Sequence, residues 1–229
     1  MPSKYAKTKK PVKRQNKKKV NTFTKNFRMG DYHQRSMASY NHIYTPNASS
    51  RVLSNQLTTI SKGELLDERT SNLIYIQNLQ YTELFRNLSG TQRTVRVMVV
   101  SLRGSVNAAD VVNWGDLYMD QGFAKSSPSG EDYDAILRIN QDEYVKIYDK
   151  MFKLNGVTSG ESSSRMISLN IPIKKYVSYV YNSSQARKNS IYVITAVSEA
   201  AGITPSITAV DSERRWTMHY HDVIRSGPI

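Results

Sequence analysis

The chain has 229 residues, enough for one domain with a sizeable core, and no cysteine. That excludes a disulfide framework, a thiolate-ligated metal or iron–sulfur site, and a thiol nucleophile. Its net charge of +13 comes from 32 Lys and Arg against 19 Asp and Glu. Eleven of the basic residues and none of the acids lie in residues 1–28, which leaves 21 against 19 and a net charge of +2 for residues 29–229.

The cationic segment holds Lys4, Lys7, Lys9, Lys10, Lys13, Arg14, Lys17, Lys18, Lys19, Lys25 and Arg28. Such a stretch repels itself and has little to bury, so it is expected to be a disordered arm. Each cation that meets a phosphate releases counterions, which points to nucleic acid as the partner. Basic clusters of this kind also serve as nuclear localisation signals, so host import machinery is a second expected partner. Tyr5, Phe23 and Phe27 interleave with the charge and suit stacking on unpaired bases, although Phe23 and Phe27 equally suit first contacts with the body. The segment is too polar for a secretory signal, and its Lys-rich, Pro-broken composition differs from a mitochondrial presequence. The Asn-x-Ser sequons at Asn47, Asn87 and Asn182 are accordingly read as chance.

From about residue 50 the pattern is that of strands. A weak strand is expected near residues 51–60. Period-two alternation then recurs at Leu73–Gln77, Thr94–Val100, Glu143–Tyr148, Ser168–Ile173, Ile191–Thr195 and Arg215–Tyr220. Ser-, Gly- and Asn-rich breaks at 87–91, 125–130, 155–164, 182–190 and 202–206 separate these segments. One helix is possible at 107–118, where Val111, Trp114 and Tyr118 share a face behind Asn107, with Gly115 against it. About eight strands without a βαβ rhythm indicate an all-β fold, an eight-stranded antiparallel jelly-roll sandwich spanning residues 29–229 behind the arm. No run reaches the roughly 18 apolar residues of a membrane helix, so no membrane partner is expected.

Catalytic signatures are missing: the chain has no phosphate-binding glycine loop, no dinucleotide fingerprint, no nucleophile elbow and no zinc-protease motif. It is read as a non-enzyme. His219-Tyr220-His221-Asp222 is the one constellation with chemistry. On a strand His219 and His221 share one face, opposite Trp216, Met218 and Tyr220. Two imidazoles beside a carboxylate suit a divalent metal, but no third ligand is assignable, so no metal and no cofactor are expected. The alternatives are a surface or subunit contact, and a contribution to nucleic-acid binding. Asp110, Asp116, Asp120, Glu131, Asp132 and Asp134 cluster in one long connection, which reads as a solvated loop more readily than as a hard-cation site. Trp114, Tyr118 and Phe123 in the same connection have little core of their own and suit a subunit interface.

A basic arm followed by a nearly neutral β body resembles the capsid proteins of small circular single-stranded DNA viruses, the circovirus-like group. The run from Gly63 to Ile76 is similar to that family's Gly-rich turn, Arg and second strand, and Val95–Val100 to its next strand. Tyr144–Leu154 resembles its recurring strand ending in Tyr-Asp-Lys, and Arg214–Asp222 its closing Arg-aromatic strand. The arm departs from many relatives in being Lys-rich, and the acidic connection has no counterpart in the family.

The resemblance implies a coat protein that self-assembles into the smallest icosahedral shell (T=1, about 60 copies) and packages single-stranded DNA on its inward arm, on the order of 660 phosphates in all. It implies a location in the virion, and in the host nucleus during assembly. The coat protein of a small RNA or satellite virus would look the same. A cellular nucleic-acid-binding protein of ribosomal or chromatin type would carry its basic residues across the body instead.

Overall fold

The computed structural model describes residues 27–44, 52–103, 118–120, 123–124, 138–157, 163–199 and 210–225. The strands are β1 (Phe27–Tyr44), β2 (Val52–Gln56), β3 (Leu73–Asn87), β4 (Arg93–Leu102), β5 (Tyr118–Asp120), β6 (Phe123–Ala124), β7 (Arg138–Ile139), β8 (Tyr144–Leu154), β9 (Ser164–Tyr179), β10 (Ala186–Lys188), β11 (Ile191–Glu199) and β12 (Val210–Arg225). The described residues contain no α-helix, hence none long and apolar enough to cross a membrane.

Strand order defines the topology. One sheet runs β1-β12-β3-β9-β10 and the other β2-β11-β4-β8. Among the eight principal strands the first pairs with the last, β2 with β11, β3 with β9 and β4 with β8, all antiparallel. This is one long hairpin rolled up so that its strands alternate between two sheets, the jelly roll expected from the sequence. The short β5, β6 and β7 form a third sheet in the connection between β4 and β8.

Period two explains the packing of the five-stranded sheet. Ile74, Ile76, Leu79, Tyr81 and Phe85 of β3 point inward with Trp216, Met218 and Tyr220 of β12 and Ile167, Ile171 and Val177 of β9. Val95, Val97 and Val99 of β4 and Ile191, Val193 and Val197 of β11 meet them from the other sheet. Each such side chain contributes roughly 1.5–3 kcal/mol by leaving water. The unbroken apolar run Val97–Val100 has a separate cause. Met98 and Val100 face outward with Tyr192, Ile194 and Ala196, and a second cluster including Ile139 and Tyr144 covers them. Both faces of these central strands are therefore dry, and their sequence reads as continuous rather than alternating.

The structure corrects the sequence reading at the start of the body. β1 begins at Phe27, so Phe27 and Arg28 open a strand of 18 residues where no strand was expected before residue 50. The strand has few apolar residues because it is an edge, paired only with β12. Its inward positions hold His33 and Arg35 opposite Tyr220 and Met218, so the hydrophobic signal is missing. The expected helix at 107–118 lies outside the described residues except for Tyr118, which begins β5.

Candidate nucleic-acid and assembly surfaces

Two buried polar clusters hold the strands that carry the outer surface. In the first, Arg214 of β12 and Glu83 of β3 are 1% and 0% exposed and 3.3 Å apart. Tyr44 of β1 donates to Glu83 Oε1 at 3.0 Å, Tyr81 donates to Oε2, and Thr195 of β11 donates to Oε2 at 3.1 Å. Arg214 also donates to Asn55 of β2, so five strands and both sheets converge on one ion pair. Burial pushes the Tyr44 and Tyr81 hydroxyls well above their ordinary range and keeps them as donors. Burial alone would lower the Arg214 guanidinium, but Tyr44, Tyr81 and Glu83 more than offset it. No substrate reaches groups this buried, and the cluster works as a rivet.

In the second, Asp222 Oδ2 accepts from His33 Nε2 at 2.9 Å, Thr70 N at 2.9 Å and Thr70 Oγ1 at 2.6 Å, and Oδ1 accepts from Ser71 N at 3.2 Å. His33 Nδ1 is buried without a hydrogen-bond partner, so this His–Asp pair has no nucleophile on its far side among the described residues. Beside it Arg69, fully buried, donates to the carbonyls of Ile60, Ser71 and Ser183 and lies 4.0 Å over the Tyr179 ring. Together Asp222 and Arg69 pin the connection before β3 onto β12 and onto the turn after β9. Sequence reasoning noticed Arg69 only as part of a family resemblance, and Asp222 there and as the carboxylate beside His219 and His221, not as the partner of His33. The bonds of Asp222 to His33, Thr70 and Ser71 cross 151 to 189 residues and that of Arg69 to Ser183 crosses 114, separations with no local signal.

His219 and His221 occupy the outer face of the five-stranded sheet and Trp216, Met218 and Tyr220 the core, as the alternation predicts. What the sequence did not disclose is their neighbour, Tyr32 of β1, 48% exposed. Its hydroxyl is hydrogen-bonded to His219 Nδ1, and its ring stands 5.9 Å from His219 and 5.3 Å from His221. The register extends the line: Tyr32 opposes His221, His221 opposes Tyr75, and Tyr75 opposes Tyr176, with the last two rings 4.9 Å apart. Four strands thus contribute one aromatic row. No group of three metal-ligating side chains occurs among the described residues, so the third ligand that the histidines would need is not supplied there.

The other expected site residues divide by position. Of the arm, only Phe27 and Arg28 are described; the other ten basic residues, Tyr5 and Phe23 lie outside the described residues, as do Trp114, Asp110, Asp116, Glu131, Asp132 and Asp134. Tyr118, Phe123 and Asp120 fall in β5 and β6. Asn87 is fully buried and donates to the carbonyls of Thr91 and Asn155 at 2.8 and 2.9 Å, so that sequon has no room for a glycan.

No protein-family model matches the chain, and no curated protein matches it. Similar solved structures include Desmodium yellow mottle tymovirus (8% identity, TM-score 0.37, all of both chains) and turnip yellow mosaic virus (9%, 0.35, 99% of this chain and 93% of that one). A third is the semi-empty VLP of the nodavirus of the giant freshwater prawn Macrobrachium rosenbergii (7%, 0.36, 100% and 97%). The jelly roll rests on the strand order and not on likenesses of this size.

Proposed function

We propose that this protein is a viral coat protein that assembles into a small icosahedral shell and packages single-stranded nucleic acid, DNA on the family resemblance, through its basic arm. The observation that carries this reading is the partition of charge: eleven cations and no acid in residues 1–28, against a net charge of +2 for everything after them. A nearly neutral jelly-roll body approaches copies of itself without strong repulsion, while phosphates offset the arm's charge. Phosphate contacts position without reading bases, so packaging on the arm is insensitive to sequence.

The long edge strand β1 and the opposite edge β8 also fit a body that meets its own copies. Met29, Met37 and Ile43 of β1 and Met151 of β8 are about half exposed. In this reading the residues for nucleic-acid binding are the eleven arm cations, with Trp114, Tyr118 and Phe123 at a subunit contact.

The test is size-exclusion chromatography of the purified chain at 260 and 280 nm, followed by negative-stain microscopy of the leading peak. Uniform closed particles rich in 260 nm absorbance are expected, and nuclease sensitivity then sorts DNA from RNA. A monomer or small oligomer would overturn the coat-protein reading in favour of a cellular nucleic-acid-binding protein.

A further inference from the structure

The aromatic row on the outer face of the five-stranded sheet stays open to solvent. Tyr32 is half exposed and His221, Tyr75 and Tyr176 are partly so, although the inward positions of the same strands are dry. We infer that Tyr32, His221, Tyr75 and Tyr176 form a stacking platform for the unpaired bases of single-stranded nucleic acid. The inference rests on the nucleic-acid-binding part of the proposed function and assigns it a second, base-directed site on the body.

Three observations carry it. The first is geometry. Side chains in register on adjacent strands repeat at about 4.8 Å, so four of them span roughly 14 Å, a length suited to two or three bases laid on a sheet. Every base has a π face, and rings presented this way bind without regard to sequence.

The second is the surrounding chemistry. Next along the same face lie His219, Asn78, Thr217, Gln80 and Asn170, polar side chains without a carboxylate. Lys174 and Lys175 directly precede Tyr176, and Lys174 is exposed. The acids of this face, Asp211 and Glu213, are at the far end of β12, and both are bound by Arg86 at 3.1 and 2.8 Å. Asp31, exposed and next to Tyr32 in the chain, is the single carboxylate of β1.

The third is the tether. Residues 1–26 join the body at Phe27, five residues and about 17 Å of strand from Tyr32. A strand held by the arm's phosphate contacts is thereby delivered at high effective concentration to the rings.

The experiment titrates the full-length protein with fluorescein-labelled oligothymidylate of about 30 residues, and with an abasic oligomer of equal length, in roughly 0.5 M sodium chloride. High salt suppresses the arm's contribution and leaves stacking. Wild type should bind the thymidylate at least about tenfold more tightly than the abasic oligomer. Tyr32→Ala should lose most of that preference, and Tyr32→Phe, which keeps the ring, should retain it. Tyr75→Leu and Tyr176→Leu, with melting curves as fold controls, should behave like Tyr32→Ala.

Equal binding of the two oligomers by wild type, or an unchanged preference in Tyr32→Ala, overturns the platform. If binding at low salt and closed particles persist in that case, the coat-protein reading stands and only the platform fails. Loss of oligomerisation in Tyr32→Ala with an unchanged preference would assign the face to a second copy of the chain and overturn the inference as well.

Discussion

Glu83 and Arg214 form a buried ion pair that makes the sandwich sensitive to single substitutions. Neither charge sees water, so removing one partner strands the other. Glu83→Ala should therefore cost about 3–5 kcal/mol, read as a lower urea midpoint. The double variant Glu83→Leu/Arg214→Met should lie much closer to wild type, because it removes both desolvation costs together. His42 stands next to this pair, with its ring 4.6 Å from Tyr44. Burial, helped by Arg214 and opposed by Glu83, holds its imidazole below the ordinary value of 6.5. As pH falls below 6.5 the unfolded chain takes up this proton before the folded one does, so the histidine's contribution lowers stability on acidification and vanishes above about pH 7. Melting temperatures of His42→Gln should accordingly fall less steeply than wild type between about pH 7 and pH 5.

At the level of elements, the turns decide whether the long strands meet in register. Gly156 follows β8 and packs against the turn joining β3 and β4, where an added Cβ would collide with the Gly90 carbonyl oxygen. Both sides of that contact are backbone, so Gly156→Ala should destabilise by about 1–3 kcal/mol, visible as a lower thermal midpoint. The long edge strand sets the boundary for truncation. Removing residues 1–26 leaves β1 whole and should preserve the circular dichroism spectrum and oligomerisation while abolishing most nucleic-acid affinity. Removing residues 1–36 takes away half of β1 together with the His33–Asp222 bond, and should leave the second half of β12 as an uncovered edge and the chain insoluble.

For the whole molecule, the separation of arm and body predicts how binding responds to salt. If about six or more arm cations meet phosphates, affinity of the full chain at low salt should drop about 10³-fold or more between roughly 50 and 200 mM, in a fluorescence-anisotropy titration. A flat response would assign binding to the body instead.

Much of this organisation was legible in the residues alone. The charge partition needs only counting, and the alternation at Leu73–Gln77, Ser168–Ile173 and Arg215–Tyr220 marks β3, β9 and β12, because a half-buried strand must place apolar residues at every second position. The same rule placed Trp216, Met218 and Tyr220 inside and His219 and His221 outside. β1 escaped it because an edge strand with His33 and Arg35 on its inner side has no such alternation. The Glu83–Arg214 rivet and the line from Tyr32 to Tyr176 could not be read either, since each joins residues more than a hundred positions apart and depends on which strands become neighbours and in what register. Local patterning determined the alternating strands and the charge partition. Rolling the hairpin into two sheets decided which side chains meet, because pairing partners follow from burial of the whole core and not from any local stretch of sequence.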